Sequence, residues 1–313
     1  MLLLATFVTT RFGEWQQRWH NTRPLVARDN VLGADPLHEG VLAILDWESR
    51  TIIAQTILDS PAGFCFQNGV LYVGSMFGNR VYVVDRRLEV LSTLSNPRMN
   101  DLHSVSPTSR GLLITSSGVD EILEISRDGS LVWRWAATEH GLRRTPTGTI
   151  RTLSPREDVR KRMYQTTEQV THCNSALVVG RHEERVVATL FHQGMVVDID
   201  RRRGGFTILL EGMTCPHSIR PAAGGGWTCC DSFPGSVVLL NAQFGLEGLI
   251  EGVFDWTQDA FMLNDLIYVA DANHHRIAAC TTRGSEVVDE FPYPREWKIF
   301  SVDVVPREWL SLG

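Results

Sequence analysis

Residues 103–135 read HSVSPTSRGLLITSSGVDEILEISRDGSLVWRW, and this stretch decides the fold. It contains four short runs with apolar residues at 103–107, 111–116, 121–126 and 130–135. Each run is separated from the next by turn-forming residues such as Ser, Asp and Gly. Short runs bounded in this way are typical of β-strands joined by tight turns. The stretch therefore predicts one four-stranded antiparallel unit.

The apolar run of the third strand recurs along the whole chain. Its last residue falls at Asp46, Asp85, Ser126, Asp200, Asn241 and Thr281. The successive spacings are 39, 41, 74, 41 and 40 residues. A period near 40 built from short strands is typical of β-propeller blades, and the long spacing is one period plus an insertion of about 34 residues.

The two ends of the chain predict how the ring closes. Residues 1–10 resemble the second strand of a blade, and 40–46 and 51–58 supply its third and fourth strands. The innermost strand is then available only at 298–305, so the C-terminal strand would complete the first blade and remove the open edges. We predict an all-β, six-bladed propeller that forms a single domain over residues 1–313.

Two insertions interrupt the repeat, at 11–39 and 136–170. In a propeller both would emerge on the face where the innermost strands begin. Ser154-Pro155-Arg156-Glu157 matches a capping box with proline at the first helical position, which predicts a short helix to about Tyr164. We expect this insertion to be a lid whose helix presents Arg156, Arg160 and Tyr164 to an anionic ligand, the alternative being a solvated helix that touches nothing.

The composition and charge of the chain argue against several classes of function. The net charge of −6 and the scattered basic residues do not indicate nucleic acid as a partner. No apolar run approaches 18 residues, and residues 1–10 lack a charged leader and a cleavage site, so we expect no membrane segment and a cytoplasmic location. The six cysteines show no disulfide or zinc-ribbon spacing, which predicts free thiols.

Three histidines are the candidate site. His103, His172 and His217 lie 23, 28 and 24 residues before the ends of their blades' third strands, which predicts one matched position near the start of three adjacent innermost strands. Three imidazoles facing the central channel could bind a divalent metal and leave one side open, most simply zinc, with copper or ferrous iron accepting the same ligands. The alternative is that each histidine only bonds to channel water or to a neighbouring carbonyl.

Neighbouring residues suggest further roles. Asp101 could accept a proton from the second nitrogen of a histidine ligand. Arg220 could reach the channel and hold a carboxylate, phosphate or sulfate group, or it could form an ordinary surface ion pair. No glycine-rich phosphate loop, serine nucleophile elbow or Cys-x-x-Cys pair is present.

Parts of the chain resemble known propeller families. Asn100-Asp-Leu-His-Ser-Val, followed by Gly111-Leu-Leu-Ile-Thr-Ser-Ser and the run from Ile125 to Trp135, is similar to a blade of the arylsulfotransferase-like propellers. Asp271-Ala-Asn-His-His-Arg-Ile resembles the turn of NHL-repeat propellers. The first resemblance would place a sulfuryl-carrying histidine at His103, His172 or His217. The three-histidine arrangement also resembles the zinc-dependent peptidyl-amidoglycolate lyases more than the gluconolactonase-like propellers.

The sequence thus favours a metal-dependent enzyme of lyase, hydrolase or isomerase type acting on a small, possibly anionic molecule. The metal would lie on His103, His172 and His217, with Asp101, Arg220 and Tyr164 as the catalytic candidates. The alternatives are a metal-free sulfuryl transferase that uses a channel histidine, and a non-catalytic propeller that binds a ligand or a protein.

Overall fold

The computed structural model describes residues 1–20, 36–282 and 286–310, and these form six four-stranded antiparallel sheets. Blade one contains β1 (Leu2–Thr9), β2 (Glu39–Asp46) and β3 (Thr51–Asp59). Blade two contains β4 (Pro61–Gln67), β5 (Val70–Ser75), β6 (Arg80–Val84) and β7 (Val90–Leu94). Blade three contains β8 (Leu102–Pro107), β9 (Leu112–Ser116), β10 (Glu121–Ile125) and β11 (Leu131–Ala136).

The second half of the ring continues the same pattern. Blade four contains β12 (Cys173–Val179), β13 (Arg185–Leu190), β14 (Met195–Asp200) and β15 (Phe206–Leu210). Blade five contains β16 (Pro216–Pro221), β17 (Trp227–Asp231), β18 (Ser236–Leu240) and β19 (Leu246–Ile250). Blade six contains β20 (Thr257–Leu263), β21 (Leu266–Asp271), β22 (Arg276–Thr281) and β23 (Val287–Pro292), and the last strand is β24 (Lys298–Val304).

In the described residues, helical structure occurs only as short segments between the strands and after the last strand. The α-helices are α1 (Phe12–His20) and α2 (Arg307–Leu310). Single 3₁₀ turns occur at Pro36–His38, Ser117–Val119, Ala137–His140, Thr166–Glu168 and Ala223–Gly225. None of the described helices is long and apolar enough to cross a membrane.

The predicted closure of the ring is confirmed. β24 pairs antiparallel with β1, in the register Ala5↔Val302 and Thr6↔Ser301, so the first blade has the strand order β24-β1-β2-β3. The Thr6 hydroxyl donates a hydrogen bond to the Ala62 carbonyl in the next blade, at 2.7 Å. The pairing of the C-terminal strand β24 with the N-terminal strand β1 therefore closes the ring. It also covers the inner edge of β1, which would otherwise be exposed.

The middle strands are buried on both faces because each blade packs between two others. Leu3 belongs to the apolar cluster shared with blade six, whereas its neighbour Leu4 belongs to the cluster shared with blade two. Cys229 and Cys230 likewise face opposite interfaces. Period-two alternation of this kind explains the near-continuous apolar runs that reveal the repeat.

The predicted helix at 154–164 is wrong. No helix occurs between residues 141 and 165, and a reciprocal capping box instead joins Gln165 to Glu168 at the 3₁₀ turn. The backbone carbonyls of the segment are used by side chains of the propeller. Arg98 Nη1 donates to the carbonyls of Ser154 and Glu157 at 2.9 and 3.1 Å.

A neighbouring side chain fixes the next part of the insertion in the same way. Asn100 Nδ2 donates to the carbonyls of Val159 and Arg162, at 2.7 and 2.9 Å. Carbonyls occupied in this way are not available for the i→i+4 bonds of a helix. The side chain of Val159 is fully buried, so this part of the insertion packs against the propeller.

Candidate metal centre and channel

The strand register places two of the three histidines at equivalent positions. Leu102, Cys173 and Pro216 each pair with the last residue of the second strand in their blade. His103 and His217 follow this position directly, but the equivalent residue of blade four is Asn174. His172 lies two residues earlier than Asn174, so the expectation of one matched position is wrong for His172.

A buried carboxylate holds His172 at the start of blade four. Asp120 Oδ1 accepts the backbone N–H groups of Thr171 and His172, at 2.7 and 3.2 Å. His172 itself has a φ of 47°, in the left-handed region that a non-glycine residue rarely adopts. The buried Asp120 carboxylate also pairs with Arg151, so the end of the insertion is fixed before it enters the strand.

The Nδ1 atom of His103 is bound by a backbone acceptor. It lies 3.1 Å from the carbonyl oxygen of Asp101. Because a carbonyl can only accept, the neutral ring carries its proton on Nδ1, and Nε2 keeps its lone pair.

A glutamine fixes His172 in the same tautomer. Gln169 Nε2 donates to Asp101 Oδ2 at 3.0 Å and to the Tyr164 carbonyl at 3.2 Å. Gln169 Oε1 is therefore the acceptor that lies 2.5 Å from His172 Nδ1. One side chain thus orients His172 and the carboxylate of Asp101 together.

The third histidine is bound by a serine. Ser232 donates its hydroxyl proton to the Thr257 carbonyl, so its oxygen accepts from His217 Nδ1 at 2.6 Å. Within the described residues, the Nε2 atoms of His103, His172 and His217 have no hydrogen-bond partner. Each therefore presents a free lone pair, which is the form that binds a metal.

Burial keeps the three rings neutral. It lowers the pKa of His103, although the nearby Asp101 acts in the opposite direction. Burial and then the charges of the other histidines lower the pKa of His172 well below its usual value. The pKa of His217 falls to about 3, mainly through burial. At neutral pH all three imidazoles can act as lone-pair donors.

Asp101, His103 and His172 form the compact donor cluster. Within the described residues their ligand atoms lie within 4.8 Å of one another, and the rings of His103 and His172 meet edge-on with centroids 4.6 Å apart. Asp101 Oδ1 lies 3.6 Å from His103 Nδ1, and burial raises the pKa of this carboxyl group. His217 is not part of this cluster. The ring of Phe191 contacts both His172 and His217, with 5.1 Å between centroids in each case.

A cavity of about 550 Å³ occupies the central channel and reaches His103 and His217. At one end its lining includes His103, Asn174 and His217. At the other end it includes Pro107 and Pro221, the exposed last residues of β8 and β16. This volume suits a small molecule. The cavity extends toward the face opposite the insertions, whereas the sequence led us to expect binding beneath them.

Arg220 lines this cavity, as expected, but two carboxylates already contact it. Its Nε lies 3.1 Å from Asp259 and its Nη1 lies 3.1 Å from Asp303. These carboxylates raise the pKa of Arg220 against the effect of its burial. The positive charge of the guanidinium is therefore already neutralised by carboxylates of the protein.

Tyr164 lies on the insertion side of the cluster. Its ring stacks under the guanidinium of Arg151, 4.6 Å from the centroid, and it lines a small cleft together with Asp101. Arg160, which was expected on the same helix face, instead pairs with Asp158. The residues expected to form one ligand-facing helix surface thus point to different partners.

The cysteines do not add a nucleophile. All six are free, and Cys173 packs in the core between blades three and four. Burial raises the pKa of Cys173 and of Cys230, which disfavours the reactive thiolate.

Sequence reasoning missed one residue that lines the cavity. Asn174 is buried, and its Oδ1 has no hydrogen-bond partner.

Comparison with known proteins establishes the fold. No protein-family profile and no curated protein matches the sequence. A chain from the nidogen/laminin complex superposes with a TM-score of 0.64 at 13% identity, covering 96% of this chain and 97% of that chain. The WD40 propeller domain of Doa1 gives a TM-score of 0.55 at 11% identity, covering 82% and 77%.

Virginiamycin B lyase from Staphylococcus aureus is also similar, with a TM-score of 0.51 at 11% identity, covering 75% of this chain and 70% of that chain. A catalytically inactive variant of that lyase, in which alanine replaces a histidine, has been solved with quinupristin. These identities support the propeller fold alone. The likeness to arylsulfotransferase-like and NHL-repeat propellers stays a prediction.

Proposed function

We propose that this propeller is a metal-dependent enzyme of lyase type that acts on a small molecule in its central channel. A divalent metal, most simply zinc, would be held by the cluster of Asp101, His103 and His172. His217 and Asn174 would contact the substrate from the channel walls. His103 belongs to the cluster and also lines the cavity, so it links the two parts of the site.

The observation that carries the proposal is the fixed tautomer of the histidines. His103 and His172 each donate Nδ1–H to an oxygen of the protein, which leaves the Nε2 lone pair of each ring without a hydrogen-bond partner among the described residues. Oriented rings with a second-nitrogen partner are the arrangement found around protein-bound metals.

The residues of the chain suggest how substrate would be handled. A bound metal supplies Lewis acidity toward a carbonyl or lowers the pKa of water. His217 and Asn174 line the channel, and the free Nε2 acceptor of His217 would orient a hydrogen-bond donor of the substrate. With a pKa of about 3, His217 would hold no proton at neutral pH and would act as an acceptor.

Among lyase, hydrolase and isomerase chemistry, the structural neighbours favour the lyase. The propeller of virginiamycin B lyase loses its activity when a histidine is replaced by alanine. That likeness supports a histidine-centred reaction in a propeller of this shape. It does not identify the substrate of this chain.

Zinc titration of the metal-free protein tests the proposal. We expect about one equivalent of zinc to bind to the wild-type chain, and His103→Ala to abolish tight binding. His140→Ala is the matched control, because His140 stacks on Trp135 away from the cluster. Equal zinc binding by wild type and His103→Ala would contradict the proposed site.

A second candidate function is protein binding without catalysis. The nidogen/laminin neighbour covers nearly the full length of both chains and was solved as a protein complex. A metal-free sulfuryl transferase is a third candidate, on the sequence resemblance alone. Absence of zinc binding in the titration would favour these two.

A further inference from the structure

We propose that Gln258 is a substrate-binding residue of the channel and that, together with His217, it binds a carboxamide or lactam group. Gln258 would donate to the carbonyl oxygen of this group, and His217 would accept its N–H. This inference deepens the proposed function by naming the substrate class, but binding of the amide by these two residues does not itself require a metal.

The first argument is the position of Gln258. It directly follows Thr257, which pairs with the last residue of the second strand of blade six. The same position is occupied in blades three, four and five by His103, Asn174 and His217. In each of these four innermost strands a bulge interrupts the pairing at this point, and such bulges can aim a side chain at a site. All four side chains are buried and line the channel cavity, so four adjacent blades place a polar group at one level.

The second argument is the orientation of the Gln258 amide. The indole Nε1 of Trp256 can only donate a hydrogen bond, and it lies 2.9 Å from Gln258 Oε1. Oε1 is therefore occupied, and Nε2 keeps both of its N–H groups. Within the described residues Nε2 has no hydrogen-bond partner, and it is not among the fully covered unpaired polar atoms. Because Gln258 lines the cavity, Nε2 offers donors to a ligand there.

A matching acceptor lies in the neighbouring blade. His217 donates its Nδ1–H to Ser232, which leaves Nε2 as an acceptor. The ring of His217 also contacts the ring of Trp256, with 5.6 Å between centroids, so one indole packs against His217 and orients Gln258. A carboxamide or a lactam carries an acceptor oxygen and a donor N–H side by side, and it therefore matches this pair of groups.

The rest of the cavity favours an uncharged ligand with an apolar body. The charged residues of its lining, Arg220, Asp259 and Asp303, pair with one another. The rings of Phe64 and Phe66 also line the cavity. Pockets of this kind bury an apolar ligand body and orient it through a few polar groups. An aromatic amide such as benzamide suits both parts of the lining.

Titration with benzamide and acetophenone tests the inference. The two molecules have nearly the same size and both carry a carbonyl group, but in acetophenone a methyl group replaces the amide NH₂. Binding to the purified wild-type chain is followed by NMR. We expect benzamide to bind about tenfold more tightly, because acetophenone leaves the acceptor of His217 without a partner. Equal affinities, or no binding of benzamide, would overturn the proposal.

Two variants separate the roles of the two residues. His217→Leu should bind benzamide no better than acetophenone, because the acceptor of the N–H is removed. Gln258→Met should bind both molecules about tenfold more weakly, because the donor to their carbonyl group is removed. The exposed Gln243→Met is the control, and circular dichroism checks that each variant is folded. A retained preference for benzamide in His217→Leu, or unchanged binding by Gln258→Met, would contradict the proposal.

The benzamide titration and the zinc titration give separate results. A chain that binds benzamide with the expected preference but binds no zinc would support this inference and remove the metal-dependent mechanism. A chain that binds zinc at the histidine cluster but does not bind benzamide would overturn this inference and leave the metal site in place.

Discussion

The ring of His103 meets the ring of His172 edge-on, with 4.6 Å between their centroids. The two residues come from adjacent blades but do not occupy equivalent positions, because His172 precedes the start of its strand. The two rings are close to each other because of where the end of the insertion at 136–170 places His172. The residues that hold this entry are therefore expected to control metal binding.

Gln169→Leu should weaken zinc binding without unfolding the protein. The substitution removes the acceptor of His172 Nδ1 and the amide bound to Asp101. Loss of such a partner typically lowers metal affinity about 10- to 100-fold. Gln193→Leu is the control, since Gln193 donates to the Val170 carbonyl and touches none of the ligands. Zinc titration that gives one affinity for both variants would contradict this role of Gln169.

Asp120→Asn should destabilise the fold strongly. The substitution leaves the buried Arg151 without its counter-charge and weakens the acceptor of three backbone N–H groups. Breaking a buried pair costs about 3 kcal/mol or more in the free energy of unfolding. Chemical denaturation measures this, with the exposed Asp128→Asn as the control. A loss below about 1 kcal/mol would show that the anchor is not needed.

Acid should destabilise the protein in a window set by the buried histidines. The pKa of His217 is about 3 in the folded chain against an ordinary value of 6.5, so the unfolded chain binds more protons between these values. Stability is then complete above pH 6.5 and falls by about 1.4 kcal/mol per pH unit for this group as the pH drops toward 3. His217→Gln should reduce the slope of unfolding free energy against pH by that amount. Parallel curves for the two proteins would contradict the assigned shift.

Deletion of residues 298–313 should prevent folding or cause aggregation. The deletion removes β24, and with it the innermost strand of blade one, which exposes the edge of β1. Circular dichroism and light scattering would report the loss, with deletion of residues 311–313 alone as the control. A truncated chain with the melting temperature of wild type would contradict closure by this strand.

The sequence predicted the ring well because its signal is local and repeated. The spacing of about 40 residues and the alternation of Leu3 and Leu4 between two interfaces both follow from strand geometry. The missing innermost strand of blade one was likewise visible as a gap in the repeat. These features can be recognised without knowing which residues that are distant in the chain contact one another.

The details of the site could not be predicted because they depend on contacts between distant residues. The sequence signal at 154–157 favoured a helix, but Arg98 and Asn100 use the carbonyls of that segment. Spacing alone could not show that Asn174 replaces His172 at the matched position. Nor could it show that Arg220 pairs with two aspartates.

The metal content of three single variants tests the central claim most directly. Wild type, His103→Ala, His172→Ala and His217→Ala are purified alike and measured by elemental analysis, and circular dichroism checks that each is folded. We predict about one divalent metal per wild-type chain, little in His103→Ala or His172→Ala, and most of it retained in His217→Ala. A wild-type chain without metal, or metal content unchanged in His103→Ala and His172→Ala, would contradict the account.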